Sequence, residues 1–256
     1  MSGQNLVIAK QRAHLIAITH FPAHLRFWLF AIGGITLDLL LKNWAFRNLP
    51  FPGGEPRVII PYALELQAVL NPGALFGIGK GMTPVFLIAS LLALALVIWM
   101  FVQSDAKRWV FQIALGAIFA GAVGNMYDRV NIVLVRDTIG TVPMRYWYVE
   151  DGDEAGVKVL TAFPNTEKPS IQRVVPESQF SRYTKPAGHV RDFIKIPTTF
   201  YGRELWPWVF NIADMLLVGG VAILAIGIWR EQSPEPEPAP PIANDALAVD
   251  SSTEPT

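Results

Sequence analysis

Four long apolar stretches dominate the hydropathy pattern, and most charged residues lie between them. The stretches are Phe27–Phe46, Pro84–Gln103, Trp109–Asp128 and Trp208–Trp229. A helix of about 20 residues is long enough to cross the hydrocarbon core of a bilayer. The pattern therefore predicts an all-α membrane protein: four transmembrane helices with a small extracytoplasmic β element and a long extracytoplasmic insertion.

The segments between the spans differ in character. Residues 58–73, "VIIPYALELQAVLNPG", are apolar pieces broken by Pro and Gly, which is typical of short strands at a membrane surface. In the long polar loop, "RYWYVEDGDEAGVKVL" (145–160) predicts a hairpin around an Asp-Gly turn. For the rest of this loop the sequence predicts flexible connections rather than a second core, and hence an accessory role.

These patterns divide the chain into an arm, a body and a tail. We predict a cytoplasmic N-terminal arm at 1–26, a four-span body at 27–230 with its insertion at about 131–188, and a disordered cytoplasmic tail at 231–256. Four spans put both termini on one side of the membrane. Basic residues in the arm and between the second and third spans slightly outnumber those in the 47–83 loop. The positive-inside rule then predicts cytoplasmic termini.

Composition narrows the function classes. Of the 256 residues 52% are hydrophobic and 16% charged, as in polytopic membrane proteins. The chain has 21 basic and 21 acidic residues, so its charge gives no sign of nucleic-acid binding. It has no cysteine, which excludes disulfides, thiolate metal sites and cysteine nucleophiles. The histidines are not spaced as metal ligands; they are His14, His20, His24 and His189. We expect no metal and no cofactor.

Polar side chains border or interrupt the spans at four places. They are Asp38 and Lys42 in the first span, Asn71 before the second, Asn125, Asp128 and Arg129 at the end of the third, and Asn211 and Asp214 at the start of the fourth. Because successive spans run in opposite directions, all of these positions face the same leaflet. The sequence therefore predicts a polar site at one membrane boundary.

Some of these residues have simpler interpretations. Asp38 and Lys42 are four apart and can form an intrahelical ion pair, Arg129 can snorkel to the interface, and Asn71 can be a turn residue. Asp214 is different, because no cation lies within one turn of it in its own helix. Two neighbouring carboxyl groups share a proton, so that one activates water while the other polarises a carbonyl. This is the chemistry of an aspartic peptidase.

Five motifs occur in the order seen in the lipoprotein signal peptidase family, also called signal peptidase II. They are "LDLLLK" (37–42), "NPGALFG" (71–77), "AGAVGNMYDR" (120–129), "VRDFI" (190–194) and "FNIAD" (210–214). The resemblance implies a membrane aspartyl protease of the bacterial inner membrane. It also implies that the substrates are diacylglyceryl-modified prolipoproteins in membrane lipid, and that the signal peptide is removed at the outer face.

The resemblance also implies roles for individual residues. The family dyad maps to Asp192 and Asp214. The supporting or substrate-binding residues map to Asp38, Lys42, Asn71, Asn125, Asp128, Arg129 and Asn211.

The chain departs from the family at one point. The family places its first catalytic acid shortly after "GNxxDR", where this chain has Asp137 in "VRDTI"; "VRDFI" comes 55 residues later. Phe193 and Ile194 complete the motif around Asp192, which favours Asp192. Asp137 remains the alternative.

Two other function classes stay open at this point. Intramembrane Asp, Lys and Asn also mark ion pathways, as in a small transporter or proton-relay protein. A transporter of this kind typically has repeat symmetry, and none is evident here. A non-catalytic scaffold is the third class, but it does not require acids from separate segments to converge. The convergence favours the peptidase.

Overall fold

The computed structural model describes residues 17–73, 82–137, 145–164 and 170–232. In these ranges four helices are long and apolar enough to cross a membrane. They are α1 (Phe21–Asn48), α2 (Thr83–Gln103), α3 (Trp109–Asn131) and α4 (Ile212–Gln232), and a short 3-10 helix, Ala17–Thr19, precedes α1. The four predicted spans are confirmed as helices. Most of the predicted arm and nearly all of the predicted tail lie outside the described residues.

Two helix starts differ from the predicted ones by several residues. α1 begins at Phe21 rather than Phe27, and Pro22 occupies its first turn, where a missing N–H costs nothing. α4 begins at Ile212 rather than Trp208, because the two residues Val209–Phe210 pair as a strand. Apolar residues alone do not distinguish a strand at the membrane edge from the start of a helix.

α3 is the central helix, and α1, α2 and α4 all pack on it. A Cβ atom on Gly116 would lie 2.5 Å from the carbonyl oxygen of Phe27 in α1. A Cβ atom on Gly121 would clash with the carbonyl oxygen of Ala213 in α4. Small residues on α3 therefore permit the close backbone approach that membrane helices use for packing.

The all-α fold class is wrong, because the described chain also contains eleven strands in three antiparallel sheets. The strands are β1 (Arg57–Ile60), β2 (Leu64–Asn71), β3 (Val133–Arg136), β4 (Tyr146–Asp151), β5 (Val157–Phe163), β6 (Gln172–Pro176), β7 (Ala187–Gly188), β8 (Val190–Lys195), β9 (Thr199–Phe200), β10 (Arg203–Glu204) and β11 (Val209–Phe210). Their order is β1-β2-β8-β11 in one sheet, β6-β5-β4-β3-β7 in the second and β10-β9 in the third. The connections between helices satisfy their backbone groups by pairing with each other.

The four-stranded sheet joins two distant parts of the chain. β8 lies between β2, from the connection between α1 and α2, and β11, which leads into α4. Val69 pairs with Asp192, and Asn71 pairs with Val190. This register brings Asn71 to the neighbourhood of Asp192, although 121 residues separate them in sequence.

The insertion folds as a sheet with its own core. β4 and β5 form the predicted hairpin, and their pairing runs from Tyr146–Phe163 to Asp151–Lys158. The expectation that there is no second core is wrong, since one cluster of buried side chains lies within the insertion: Val135, Trp147, Leu160, Val175 and Tyr183. Four of its members come from four separate strands, and Tyr183 follows the 3-10 helix Glu177–Arg182. No local run of apolar residues therefore indicates this core.

Shortening a side chain of this core should destabilise the insertion. Leu160 is fully buried, and truncating a buried leucine to alanine costs about 2–5 kcal/mol. We expect Leu160→Ala to lower the thermal unfolding temperature of the detergent-solubilised protein and to expose the insertion to protease. Val174→Ala is the matched control on the neighbouring strand, where the side chain is 67% exposed. Equal stability of the two variants would contradict the assigned core.

Candidate active site

Asp192 and Asp214 line one cavity of about 760 Å³. Asp192 belongs to β8 and is 2% exposed. Asp214 lies in the first turn of α4. The structure therefore brings together the two acids that the motifs single out, from a strand and from the helix that follows it.

The alternation of β8 explains how Asp192 reaches the cavity. Side chains of successive strand residues point to opposite faces. Val190 and Asp192 line the cavity. Phe193 points the other way, into a buried cluster with Phe46 and Leu134. The apolar anchor on one face thus fixes the acid on the other.

Asp214 is held by the start of its own helix. Asn211 precedes the first residue of α4, and its side-chain Oδ1 accepts the N–H of Asp214 at 3.0 Å. In return, the N–H of Asn211 donates to Oδ2 of Asp214 at 3.3 Å. This reciprocal pair is a capping box, made with Asn and Asp in place of the usual Ser or Thr and Glu. Two of the free N–H groups at the helix end are satisfied in this way.

Asparagine side chains connect the two acids. Asn71 donates to Oδ2 of Asp192 at 3.0 Å, and Asn211 donates to Oδ1 of Asp192 at 2.6 Å. Asn125 donates to Oδ1 of Asp214 at 2.8 Å and accepts from Asn211 at 3.1 Å. Asn71 also accepts the N–H of Gly73, so it is a turn residue and an acid-binding residue at once.

A buried charge cluster lies beneath these amides. The Nζ of Lys42 is 2.8 Å from Asp38 and 3.3 Å from Asp128, and all three side chains are fully buried. Lys42 also donates to Oδ1 of Asn125 at 3.2 Å. Asp38 accepts the backbone N–H of Ala213 at 2.9 Å. Asp38 and Lys42 therefore form the intrahelical ion pair that their spacing allows. Asp38 also binds the start of α4 through the N–H of Ala213.

Arg129 faces the cavity rather than snorkelling to the interface. It is only 9% exposed, and it donates to the carbonyl oxygen of Gly73 at 3.0 Å and to that of Asn125 at 3.3 Å. Its guanidinium carbon lies 5.2 Å from the ring centre of Phe86. Arg129 thereby ties the turn after Asn71 to α3 and places a positive charge at the cavity wall.

Burial is the largest influence on the pKa of Asp192 and on that of His189. Burial, and next the nearby Asp214, raise the pKa of Asp192 to about 8, although hydrogen bonds from Asn71 and Asn211 act in the opposite direction. Burial also lowers the pKa of His189, whose ring Nδ1 lies 2.7 Å from the carbonyl oxygen of Ala187. The histidine is thus a backbone-bonded residue beside the strand.

Asp137, the alternative acid, is engaged elsewhere. Its Oδ2 lies 3.4 Å from Arg182 and 3.8 Å from Arg173, and its backbone bridges to Tyr183. These partners all belong to the insertion. Asp137 is not among the residues that line the cavity with Asp214.

The rest of the cavity is an apolar groove. α2 lines one side with Phe86, Ala89 and Ala93, and α4 lines another with Met215 and Val218. Gly121 and Ala122 of α3 lie between them. At the sheet end the lining is aromatic: Trp206, Trp208 and Phe210. The groove is therefore apolar between the helices and has the acids at one end.

Sequence reasoning missed two groups of residues here. Trp206 and Trp208 line the groove, although they were not among the predicted site residues. Arg191 and Asn43 went unnoticed, although Arg191 Nε and Nη2 lie 3.1 and 2.7 Å from Asp128. The available signal for Arg191 was its place beside Asp192 on a strand, where it must point to the opposite face.

Two acids at one cavity of a multi-pass membrane protein, one buried and one half-buried, are the arrangement of an aspartic hydrolase. Comparison with known proteins agrees with this class. The sequence model described as signal peptidase (SPase) II matches residues 30–230. The chain belongs to the signal peptidase II family, which confirms the predicted resemblance and makes it a protease.

Named relatives and solved structures are consistent with this family. A lipoprotein signal peptidase of Desulfitobacterium hafniense is 39% identical over 199 residues, which cover 78% of this chain and 89% of that protein. One from Rhodopirellula baltica is 31% identical over 212 residues, 80% of this chain and 73% of that protein. A solved bacterial membrane enzyme shares the fold at a TM-score of 0.54 and 23% identity, over 82% of this chain and 93% of the other.

Removing the amide between the two acids should reduce turnover. Asn125 contacts Asp214, Asn211 and Lys42, so Asn125→Ala leaves all three partners without a shared group. Misplacing a catalytic group by about 1 Å can lower the reaction rate about 100-fold, so we expect kcat to fall by a factor of that order. Asn131→Ala is the control on the same helix, because the Asn131 side chain bonds only the exposed Tyr127 carbonyl among the contacts described. Equal kcat in both variants would count against the role of Asn125.

Proposed function

We propose that the chain is the endopeptidase that removes the signal peptide from diacylglyceryl-modified prolipoproteins, at the outer face of the bacterial inner membrane. Asp192 and Asp214 are its catalytic acids. The observation that carries the proposal is that both acids line one groove while the side chains of Asn125 and Asn211 bridge them. Asp38, Lys42, Asn71, Asp128 and Arg129 support them.

The groove suits the substrate. A signal peptide contains an apolar segment of about 7–15 residues, and a helix with side chains is about 10–12 Å wide. Small residues of α2 and α3 in the groove lining, such as Ala89, Ala93 and Ala122, leave room between the helices. In this proposal the apolar segment lies in the groove, its end reaches the acids, and the lipid attached to the substrate stays in the surrounding membrane lipid.

One proton shared by two acids starts the reaction. Because the pKa of Asp192 is raised to about 8, Asp192 holds this proton at neutral pH. Asp214 is the carboxylate and accepts hydrogen bonds from the Asn125 side chain and the Asn211 backbone. The pair titrates as a unit, with Asp192 as the preferred site of the proton.

The chemistry then follows the aspartic-dyad scheme. Asp214 takes a proton from water as the water oxygen attacks the scissile carbonyl carbon, and Asp192 gives its proton to the carbonyl oxygen. The tetrahedral diol collapses: one hydroxyl proton returns to Asp192, and the C–N bond breaks. The proton on Asp214 passes to the leaving amine. The products are a carboxylic acid and an amine, and the dyad is restored.

The orientation is part of the proposal. Lys107 and Arg108 lie in the connection between α2 and α3, at the end of the helices opposite to the acids. By the positive-inside rule this connection and both termini are cytoplasmic. The acids and the sheets are then on the outer side, where the mature lipoprotein leaves.

Substitution of single acids tests the dyad. We expect Asp192→Asn and Asp214→Asn to abolish cleavage of a purified diacylated prolipoprotein, followed as the shortened product on a gel, because neither variant can share a proton. Asp137→Asn should remain active, since Asp137 bonds residues of the insertion. Full activity of Asp192→Asn, with loss of activity in Asp137→Asn, would transfer the role to Asp137.

The pH dependence tests the shared proton. The pKa of Asp192 is raised, so its proton is present below about 8 and is lost as the pH rises through that value. We therefore expect kcat to fall on the alkaline side of about 8, when both acids are ionised. The measurement is kcat against pH in detergent, with thermal unfolding recorded at each pH. A rate that stays constant far above this pH in a folded protein would rule out Asp192 as the proton donor.

A further inference from the structure

Arg191 lies directly beside the catalytic strand position but on its other face. Asp192 lines the groove, whereas Arg191 is absent from the groove lining that the structure describes and is 6% exposed. It therefore does not reach a substrate in the groove. Arg191 is linked to Asp192 only through the backbone of β8.

Arg191 binds both helices behind the strand. Its Nη2 and Nε donate to Oδ1 of Asp128 at 2.7 and 3.1 Å, and its backbone N–H donates to Oδ2 of the same carboxylate at 2.9 Å. Its Nη1 donates to Oδ1 of Asn43 in α1. One residue of β8 is thus fixed to α3 through three hydrogen bonds and to α1 through a fourth.

The guanidinium also completes the charge balance behind the dyad. Asp128 is fully buried and is shared between Arg191 and Lys42. Lys42 in turn reaches Asn125, which donates to Asp214. Loss of one of these two cations leaves the charge of the buried Asp128 carboxylate partly uncompensated, which disturbs its contact with the remaining cation, Lys42. A change at Arg191 therefore alters the placement of both acids. It acts on Asp192 through the strand, and on Asp214 through Lys42 and Asn125.

We propose that Arg191 is a positioning residue, whose planar guanidinium sets the placement of Asp192 in the groove by clamping β8 to Asp128 and Asn43. The inference rests on the proposed function, in which Asp192 is a catalytic acid. It requires the fork shape of arginine and not only its charge, since an ammonium group cannot make the same set of directed bonds.

Replacement by lysine separates shape from charge. We expect Arg191→Lys to lower kcat about 10- to 100-fold, because a small displacement of a catalytic group has an effect of this size, while KM stays unchanged. Arg191→Met also removes the charge, so its kcat should be lower still. The kcat of Arg191→Lys should therefore lie between those of the wild type and Arg191→Met. Kinetics are measured with the full-length protein and a diacylated prolipoprotein, together with thermal unfolding.

Arg26→Lys is the matched control. Arg26 also bonds across helices, at the opposite end of α1: its Nη1 donates to Oε1 of Gln112 at 2.9 Å and to the carbonyl oxygen of Ala106 at 3.3 Å. It should keep the wild-type kcat even if its unfolding temperature falls. Wild-type kcat in Arg191→Lys, a loss that appears in KM instead, or an equal loss in Arg26→Lys would overturn the proposal. If Arg191→Met fails to fold, Arg191→Lys alone decides.

The same assay distinguishes the inference from the proposed function. Asp192→Asn is measured in parallel. If Asp192→Asn is fully active, the assignment of the dyad fails. If Asp192→Asn is inactive and Arg191→Lys is indistinguishable from wild type, the dyad stands and the positioning role of Arg191 is wrong.

Discussion

A single buried ammonium group, Nζ of Lys42, joins the elements on which the site depends. It contacts Asp38, Asp128 and Asn125, from α1 and α3, and none of the charged partners is exposed. A charge inside a membrane is costly unless it is paired, so the three groups hold each other in place. Each partner then acts on another element: Asp38 binds the first turn of α4, Asp128 holds β8 through Arg191, and Asn125 bonds Asp214.

The acid at the start of α4 has two roles. Asp214 completes a capping box with Asn211, and it is also one of the two acids at the groove. The same Asn211 donates to Asp192. The local rule that begins a helix and the long-range geometry that builds the site are therefore satisfied by one pair of residues. This accounts for an amide and a carboxylate at the edge of an apolar span.

The sequence predicted the parts of the molecule that follow local rules. Span length located the four helices, and the alternation of their directions predicted that Asp38, Asn125 and Asp214 face one boundary. The short strands within 58–73 and the 145–160 hairpin were predicted, but the sheets that they join were not. Their pairing is long-range: β2 and β8 join residues more than a hundred positions apart, and β7 and β11 are two residues long. The predicted all-α fold class was wrong because these long-range sheets were not recognised. The choice between Asp137 and Asp192 depended on a motif, and the structure adds that only Asp192 lines the groove with Asp214.

The proposed mechanism requires a proton on Asp192 at neutral pH, and infrared spectroscopy can detect this proton directly. The measurement is the carbonyl stretch of a protonated carboxyl group, taken as the difference between the wild-type protein and Asp192→Asn while the pH is raised. The account predicts a band at neutral pH that disappears as the pH passes about 8. A difference spectrum without a protonated carboxyl group at neutral pH would contradict it.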